Sequence, residues 1–335
     1  RAVVMAATIK DVARKANVST ATVSRVINRD NRIAPATRQR VLEAIASLSY
    51  RVNPIARSLK SNRTLSVGFI APEIANEFFM RVAEGVELTL RDKGYNMILC
   101  GTNESVAEEE ERIEFLLEKH IDGLIVIPSS SRGDHIAGAL AGRSVPAVLV
   151  DRLVEGFETD AVLVDNTTGT YRAIHNLLRR GHSSFGFIGG DLQLTPARER
   201  YEGFLSALRE FGVEIPERNV RFGDFHVESG YNLLGELLRQ EDPPRSIFIS
   251  NYFMHIGAVR YVVEHRQSLD PGLFLASFDD MELSSVTGLA SLTIAQPVSR
   301  IGQEAATLLL RRLAGTVTGA PEIRRLATEL VFHEA

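Results

Sequence analysis

From Leu65 onward, short apolar runs recur with helix-like segments between them, and this rhythm restricts the fold more than any other feature of the chain. The runs are "LSVGFIAP", "YNMILCGT", "DGLIVIPS", "PAVLVDR", "AVLVDN", "SFGFIGG", "RSIFISN" and "LFLASFDD", most of them followed by about ten to fifteen residues of helical character. A strand that is apolar on both faces must be covered on both faces, so the alternation predicts parallel sheets flanked by helices. Two neighbouring runs, 146–151 and 161–166, have no helix between them. That break near the midpoint predicts two α/β lobes, with the chain crossing from one to the other. A further run "LTIAQP", a helical stretch Val298–Leu313 and a last strand near "ELVFHE" supply later crossings. Ligands of such sheets bind beyond the carboxyl ends of the strands, and pockets favour domain interfaces, so the cleft between the lobes is the expected small-molecule site.

The first 64 residues obey different rules. They carry 13 Lys and Arg against three Asp and Glu, whereas the remainder carries 25 against 39, so the net charge of −4 hides a basic end on an acidic body. Such asymmetry points to a polyanionic partner for the basic end, although a solvated basic face would give the same count. The first fifty residues read as three short helices. Thr8, with Asp11 three positions on, caps a first helix whose inner face is Ile9, Val12 and Ala13. Ser19 caps a second, with Val23, Val26 and Ile27 inward. A third starts at Pro35 and runs through Val41, Leu42, Ile45 and Leu48. Asn53-Pro54 then offers a cap and first turn for the short segment "IARSLK".

The second helix begins "STATVSRVIN". Short hydroxyl and amide side chains there let a helix approach closely and both donate and accept hydrogen bonds, as the recognition helix of a helix-turn-helix does in the major groove. Its positive dipole end and free backbone N–H groups also favour phosphate. An ordinary three-helix bundle with one well-capped helix fits this stretch as well.

"TIKDVARKANVSTATVSRVIN" followed by "TRQRVLEAIASLSYRVNPIARSL" resembles the DNA-binding headpiece of the lactose-repressor (LacI/GalR) family of bacterial transcription factors. "NEFFMRVAEGVE", "VDNTTGTYRAIHNLLRRGHSSFGFIGG", "RERYEGF", "SFDDMELS", "LTIAQP" and "TELVFHEA" resemble, in order and spacing, the family's periplasmic-binding-protein-like core. The resemblance implies an α plus α/β architecture: a helix-turn-helix headpiece at 8–50, a hinge helix and linker at 51–64, and a two-lobed effector-binding and dimerisation core at 65–335. Its lobes would comprise 65–164 with 295–323, and 165–294 with 324–335. It also implies a repressor, a homodimer on pseudo-palindromic double-stranded operator DNA, whose affinity responds to a small molecule in the cleft.

By the same resemblance Thr20 and Ala21 discriminate bases, while Thr22, Ser24 and Arg25 grip the site, with Thr8, Ser19, Asn28 and Asn53 as further DNA contacts or local caps. Ala21 offers only a methyl contact, so Thr20 and Arg25 carry the polar readout. Leu59 would wedge between base steps in the minor groove, with Arg57 and Lys60 beside it. In the core, Phe79 would stack on the effector, and Arg200, Asn251, Asp279 and Gln296 would hydrogen-bond to it. An aromatic face with a guanidinium, a carboxylate and amides suits a sugar or related polyol. Asp279 could instead cap a helix, and Phe79 could be core. The chain departs from the family pattern in having Ala34 before the Pro of the third helix, where Ser is common, and Tyr252 after Asn251, where Asp is common. The pocket edge is correspondingly more aromatic.

Other classes find little in the residues. "GFIGGD" lacks the G-x-G-x-x-G order, no phosphate-binding G-x-x-x-x-G-K-[ST] loop occurs, and no Ser/His/Asp set has a recognisable context, so an enzyme is not expected. The lone Cys100 cannot form an internal disulfide, and no Cys/His cluster has metal-ligand spacing; no cofactor or metal is called for. With no bilayer-length apolar run and no signal pattern, the expected location is the cytoplasm, without membrane contact. The rival function is a ligand sensor of periplasmic-binding type whose headpiece binds something other than DNA.

Overall fold

The computed structural model describes residues 7–27, 30, 32–50, 63–280 and 292–333, and the chain divides into two compact units, Arg1–Thr64 and Leu65–Ala335. The hinge-segment residues Asn53, Arg57, Leu59 and Lys60, together with Asn28, lie outside the described residues.

In the first unit, α1 (Ile9–Ala16), α2 (Thr20–Ile27) and α3 (Pro35–Ser47) enclose a small core of Val12, Ala13, Ala16, Val23, Val26, Val41 and Ala44. Thr8 starts α1 with its backbone N–H and its hydroxyl both donating to the Asp11 carboxylate, at 3.0 and 2.7 Å. That closes the first turn and lowers the Asp11 pKa. Ser19 caps α2, its Oγ accepting the Thr22 N–H at 3.1 Å. Leu42, one of the apolar residues along the third helix, is 47% exposed. Val41 and Ala44 point inward instead, with Ile45 and Leu48 packed beside them, because a helical face three and four residues apart includes Val41, Ala44, Ile45 and Leu48 but not Leu42. Ala34 precedes α3 and makes no side-chain cap bond.

The second unit holds two six-stranded sheets. The first has the order β11-β5-β4-β3-β1-β2, from β1 (Ser66–Ala71), β2 (Asn96–Gly101), β3 (Gly123–Val126), β4 (Ala147–Val150), β5 (Asp160–Val164) and β11 (Ile323–Leu326), all parallel. The second has the order β12-β10-β9-β8-β6-β7, from β6 (Phe185–Gly189), β7 (Val220–Phe222), β8 (Ser246–Ile249), β9 (Phe274–Phe278), β10 (Leu292–Ala295) and β12 (Glu329–Phe332). Only β12 runs antiparallel to its neighbour, pairing Thr293 with Val331. The first sheet carries α4 (Glu77–Asp92), α5 (Val106–Glu118), α6 (Asp134–Leu140) and α11 (Val298–Leu313). The second carries α7 (Asn166–Arg179), α8 (Thr195–Glu210), α9 (Val227–Leu238) and α10 (Tyr252–His265).

The strand order dates the crossings. β4 and β5 are paired neighbours in one sheet, so the chain first leaves that lobe after β5, at Asp165. It returns between β10 and α11, through Gln296 and Pro297, and leaves again between β11 and β12. Because β11 pairs with β5 from Ile323 to Leu326, the first lobe continues through Leu326 rather than ending at 323. The strands β7 and β11 had no counterpart among the apolar runs.

Close helix packing in the first lobe rests on two glycines. A Cβ at Gly302 of α11 would stand 2.1 Å from the carbonyl oxygen of Val82, and one at Gly85 of α4 would stand 2.4 Å from that of Ser299. Among the described residues no helix is long and apolar enough to cross a membrane.

Candidate DNA-reading face and effector cleft

On α2 the residues that do not enter the core share one side. Ser19, Thr20, Ala21 and Arg25 are exposed, and Thr22 and Ser24 are half-buried. Thr20 with Ser24, and Ala21 with Arg25, are four apart and therefore stacked along one face. Ser19 and Thr22 also join hydroxyls at 2.9 Å. The Thr8 hydroxyl donates its proton to Asp11, so it can contact a phosphate, which only accepts, after giving up that bond.

The cleft of the second unit is lined from both lobes. All five expected effector residues, Phe79, Arg200, Asn251, Asp279 and Gln296, meet there. Asn76 brings Phe79 into position by capping α4, its Oδ1 accepting the Phe78 N–H at 3.0 Å, which sets both phenylalanines in the first turn at the carboxyl edge of β1. Phe79 is buried, belongs to the hydrophobic core and lines the cleft.

Arg200 is buried on α8. Its Nε–H donates to Asn166 Oδ1 at 2.9 Å, one terminal N–H donates to the Ser250 carbonyl at 2.6 Å, and the guanidinium lies 3.6 Å above the Phe278 ring. Burial pulls its pKa down while Asp279 and Asp151 pull it back up. Asp279 accepts the Tyr252 N–H at 3.2 Å and is bonded by Gln296 Nε2–H, so this carboxylate both faces the cleft and closes the start of α10. Asn251 caps the same helix, accepting the Met254 N–H at 3.1 Å, and donates to the Phe225 carbonyl at 3.0 Å. Tyr252 and Phe253 line the adjoining wall.

Several lining residues had not been singled out. Asp151 and Arg152 follow β4, and Arg152 forms a two-pronged pair with Glu104 at 2.9 and 3.0 Å. Burial raises the Asp151 carboxyl, against the opposing charges of Arg200 and Arg152. Asp151 and Asp279 both sit at strand ends in the left-handed region, with φ of 65° and 72°. Such a backbone costs energy in a non-glycine residue and concentrates at functional sites. The signal that could have found Asp151 was its place directly after the run "PAVLV", at a strand end like those that Asn251 and Asp279 follow.

Residues 64–324 match the model for periplasmic binding proteins and the sugar binding domain of the LacI family, and residues 8–53 match that for bacterial regulatory proteins of the lacI family. The chain belongs to the LacI family. The HTH-type transcriptional repressor PurR of Pasteurella multocida is 34% identical to it over 92% of each chain. A solved complex of the transcriptional regulator CelR with cellobiose is 29% identical, with a TM-score of 0.73 over 97% of this chain and 98% of that one. The Lac repressor bound to ONPG in its repressed state, 24% identical, shares the fold with a TM-score of 0.84 over 97% of this chain and 98% of that one. This LacI-family chain is thus a DNA-binding transcriptional regulator of repressor type with a ligand-controlled core.

Proposed function

We propose that the exposed face of α2 reads operator bases while the interlobe cleft binds a neutral, hydroxyl-rich metabolite that sets operator affinity. Thr20 and Arg25 make the polar base contacts, Ala21 a methyl contact, and Ser19, Thr22 and Ser24 hold the phosphates and the register. Asn28, Asn53, Arg57, Leu59 and Lys60 keep the roles that the family resemblance gives them. Two copies of the chain on a two-fold operator give the paired half-sites this geometry needs. The activity is binding rather than catalysis, and it is exercised in the cytoplasm.

The observation that carries the ligand reading is the convergence of Phe79, Arg200, Asn251, Asp279 and Gln296 on one cleft. Carboxylates and guanidiniums there accept and donate paired hydroxyl hydrogen bonds, and the aromatic rings cover the C–H faces. The cleft is lined by Glu73, Glu104, Asp151, Asp224 and Asp279 against Arg152 and Arg200, a balance that disfavours an anion. The cellobiose complex of CelR supports the choice of a carbohydrate.

Thermal-shift measurement against pentoses, hexoses, disaccharides, sugar acids and nucleosides tests this directly, because a ligand at a hundredfold excess over its Kd stabilises the core by about 2.7 kcal/mol. A neutral sugar should raise Tm in the unaltered protein and fail to do so in Arg200→Ala and Asp279→Ala, while both variants keep operator affinity. Undiminished sugar affinity in either variant would remove the pocket assignment.

A further inference from the structure

Arg200 is tied to the crossings between the lobes as well as to the cleft. Its Nε–H donates to Asn166 Oδ1 at 2.9 Å, and Asn166 opens α7 directly after the first crossing. The other end of that buried amide, Nδ2–H, donates to Glu199 Oε2 at 3.0 Å. Glu199, on α8 of the second lobe, also accepts two guanidinium N–H groups of Arg325 at 3.0 and 2.7 Å. Arg325 belongs to β11 of the first lobe, just before the third crossing. The main chains of these two crossings are joined where the Asp165 N–H donates to the Leu326 carbonyl at 2.9 Å. One file of hydrogen bonds therefore leads from the cleft guanidinium, through both ends of one amide, to an ion pair that bridges the lobes.

We propose that Glu199 and Arg325 are positioning residues that carry the state of Arg200 to the crossings between the lobes and so set the strength of effector–operator coupling without touching the effector. The proposal rests on the reading of the cleft as the effector site. The Asn166 amide is bonded at both its oxygen and its nitrogen, so it cannot turn to absorb a movement of Arg200 without losing one of those bonds; the displacement passes to Glu199. The lobes cannot rotate about their crossings without moving Arg325 relative to Glu199. Coupling of this kind is a free-energy difference between states and needs direct measurement. The neighbour Arg324 supplies the control: it pairs with Glu322 and Glu304, both within the first lobe.

The test uses the full chain and the variants Arg325→Gln, Glu199→Gln and Arg324→Gln. Hydrogen exchange read by mass spectrometry, without ligand, should show about tenfold faster exchange in the 250–254 segment of Arg325→Gln, where Arg200 holds the Ser250 carbonyl and Asp279 holds the Tyr252 N–H, and no change there in Arg324→Gln. In a second arm, calorimetry with D-ribose, D-glucose and cellobiose is combined with anisotropy on a duplex selected from random sequence. Glu199→Gln should keep the Kd of the bound sugar within about threefold while the sugar's effect on operator affinity falls at least fivefold. Equal exchange in Arg325→Gln and Arg324→Gln, or unchanged coupling in Glu199→Gln, overturns the proposal. So does a more than tenfold loss of sugar affinity in Glu199→Gln, which would make Glu199 a pocket residue. Failure of all three sugars to bind the unaltered protein counts against the carbohydrate reading alone, and the exchange measurement still decides the relay.

Discussion

His255 lies in the core of the second lobe, its Nδ1 shared with Ser277 Oγ at 3.0 Å and its Nε2 buried without a hydrogen-bond partner among the described residues. Burial, with a smaller contribution from His333, pushes its pKa down to about 4 from 6.5. The unfolded chain therefore binds the proton more readily than the folded one. The stability that comes from keeping this ring neutral is fully present above pH 6.5 and is lost as pH falls from 6.5 towards 4, by roughly 3 kcal/mol for this group. Urea unfolding at pH 7 and pH 5 should show a drop that is markedly smaller in His255→Asn; equal drops would exclude His255 as the cause. At this scale the family resemblance led to Arg200, Asn251 and Asp279, which the structure brings to one cleft. Glu104 was not legible in the sequence, because its cleft position depends on a pairing with Arg152, which is 48 residues away in the chain and invisible until the strands are aligned.

Among the elements, α2 joins a core face and an exposed face within eight residues and is capped by Ser19 just before them. Ser19→Ala removes the bond to the Thr22 N–H and should cost the headpiece about 1 kcal/mol, seen as a lower Tm of its own transition. Arg25→Ala should instead leave that Tm within a degree or two and weaken binding to the selected operator by ~1–3 kcal/mol, measured by anisotropy against random duplex. Gly302 belongs to a different kind of element contact. A methyl there meets a backbone oxygen that cannot swing aside, so Gly302→Ala should force α11 away from α4 and cost ~1–3 kcal/mol in urea unfolding of the core. Ten strands were legible as apolar runs, and two were not. β7 is only Val220–Phe222, too short to show a period. β11 reads "IRRL", and its arginines look like a loop because their partners, Glu199, Glu304 and Glu322, come from three other segments.

For the whole molecule, the division of charge has a measurable consequence. Binding driven by a basic unit should weaken steeply with salt, with log K falling almost in proportion to the number of phosphates neutralised. On the proposed hydrogen-bonded reading of the cleft, effector affinity should barely change over the same range, so titrations at about 50 and 200 mM salt separate the two. Effector and operator should also alter each other's affinity by the same factor, typically fivefold to a hundredfold. A reciprocal pair of titrations that disagreed would show that the two sites are not linked through one equilibrium. The two-lobed plan was legible from the break in rhythm between β4 and β5. The exact residue of the last crossing was not, since nothing in "RRLATEL" distinguishes strand from connection.

The three crossings make each lobe a patchwork of distant stretches. During synthesis, residues 65–164 emerge early, yet their sheet waits for α11 and β11, and the other sheet waits for β12. A nascent chain halted at residue 290 would hold Phe79, Arg200, Asn251 and Asp279 but neither finished lobe. Its exposed strand edges would invite chaperones or aggregation rather than partial service as a sensor. The cell thus obtains a working switch only after β12 has been made.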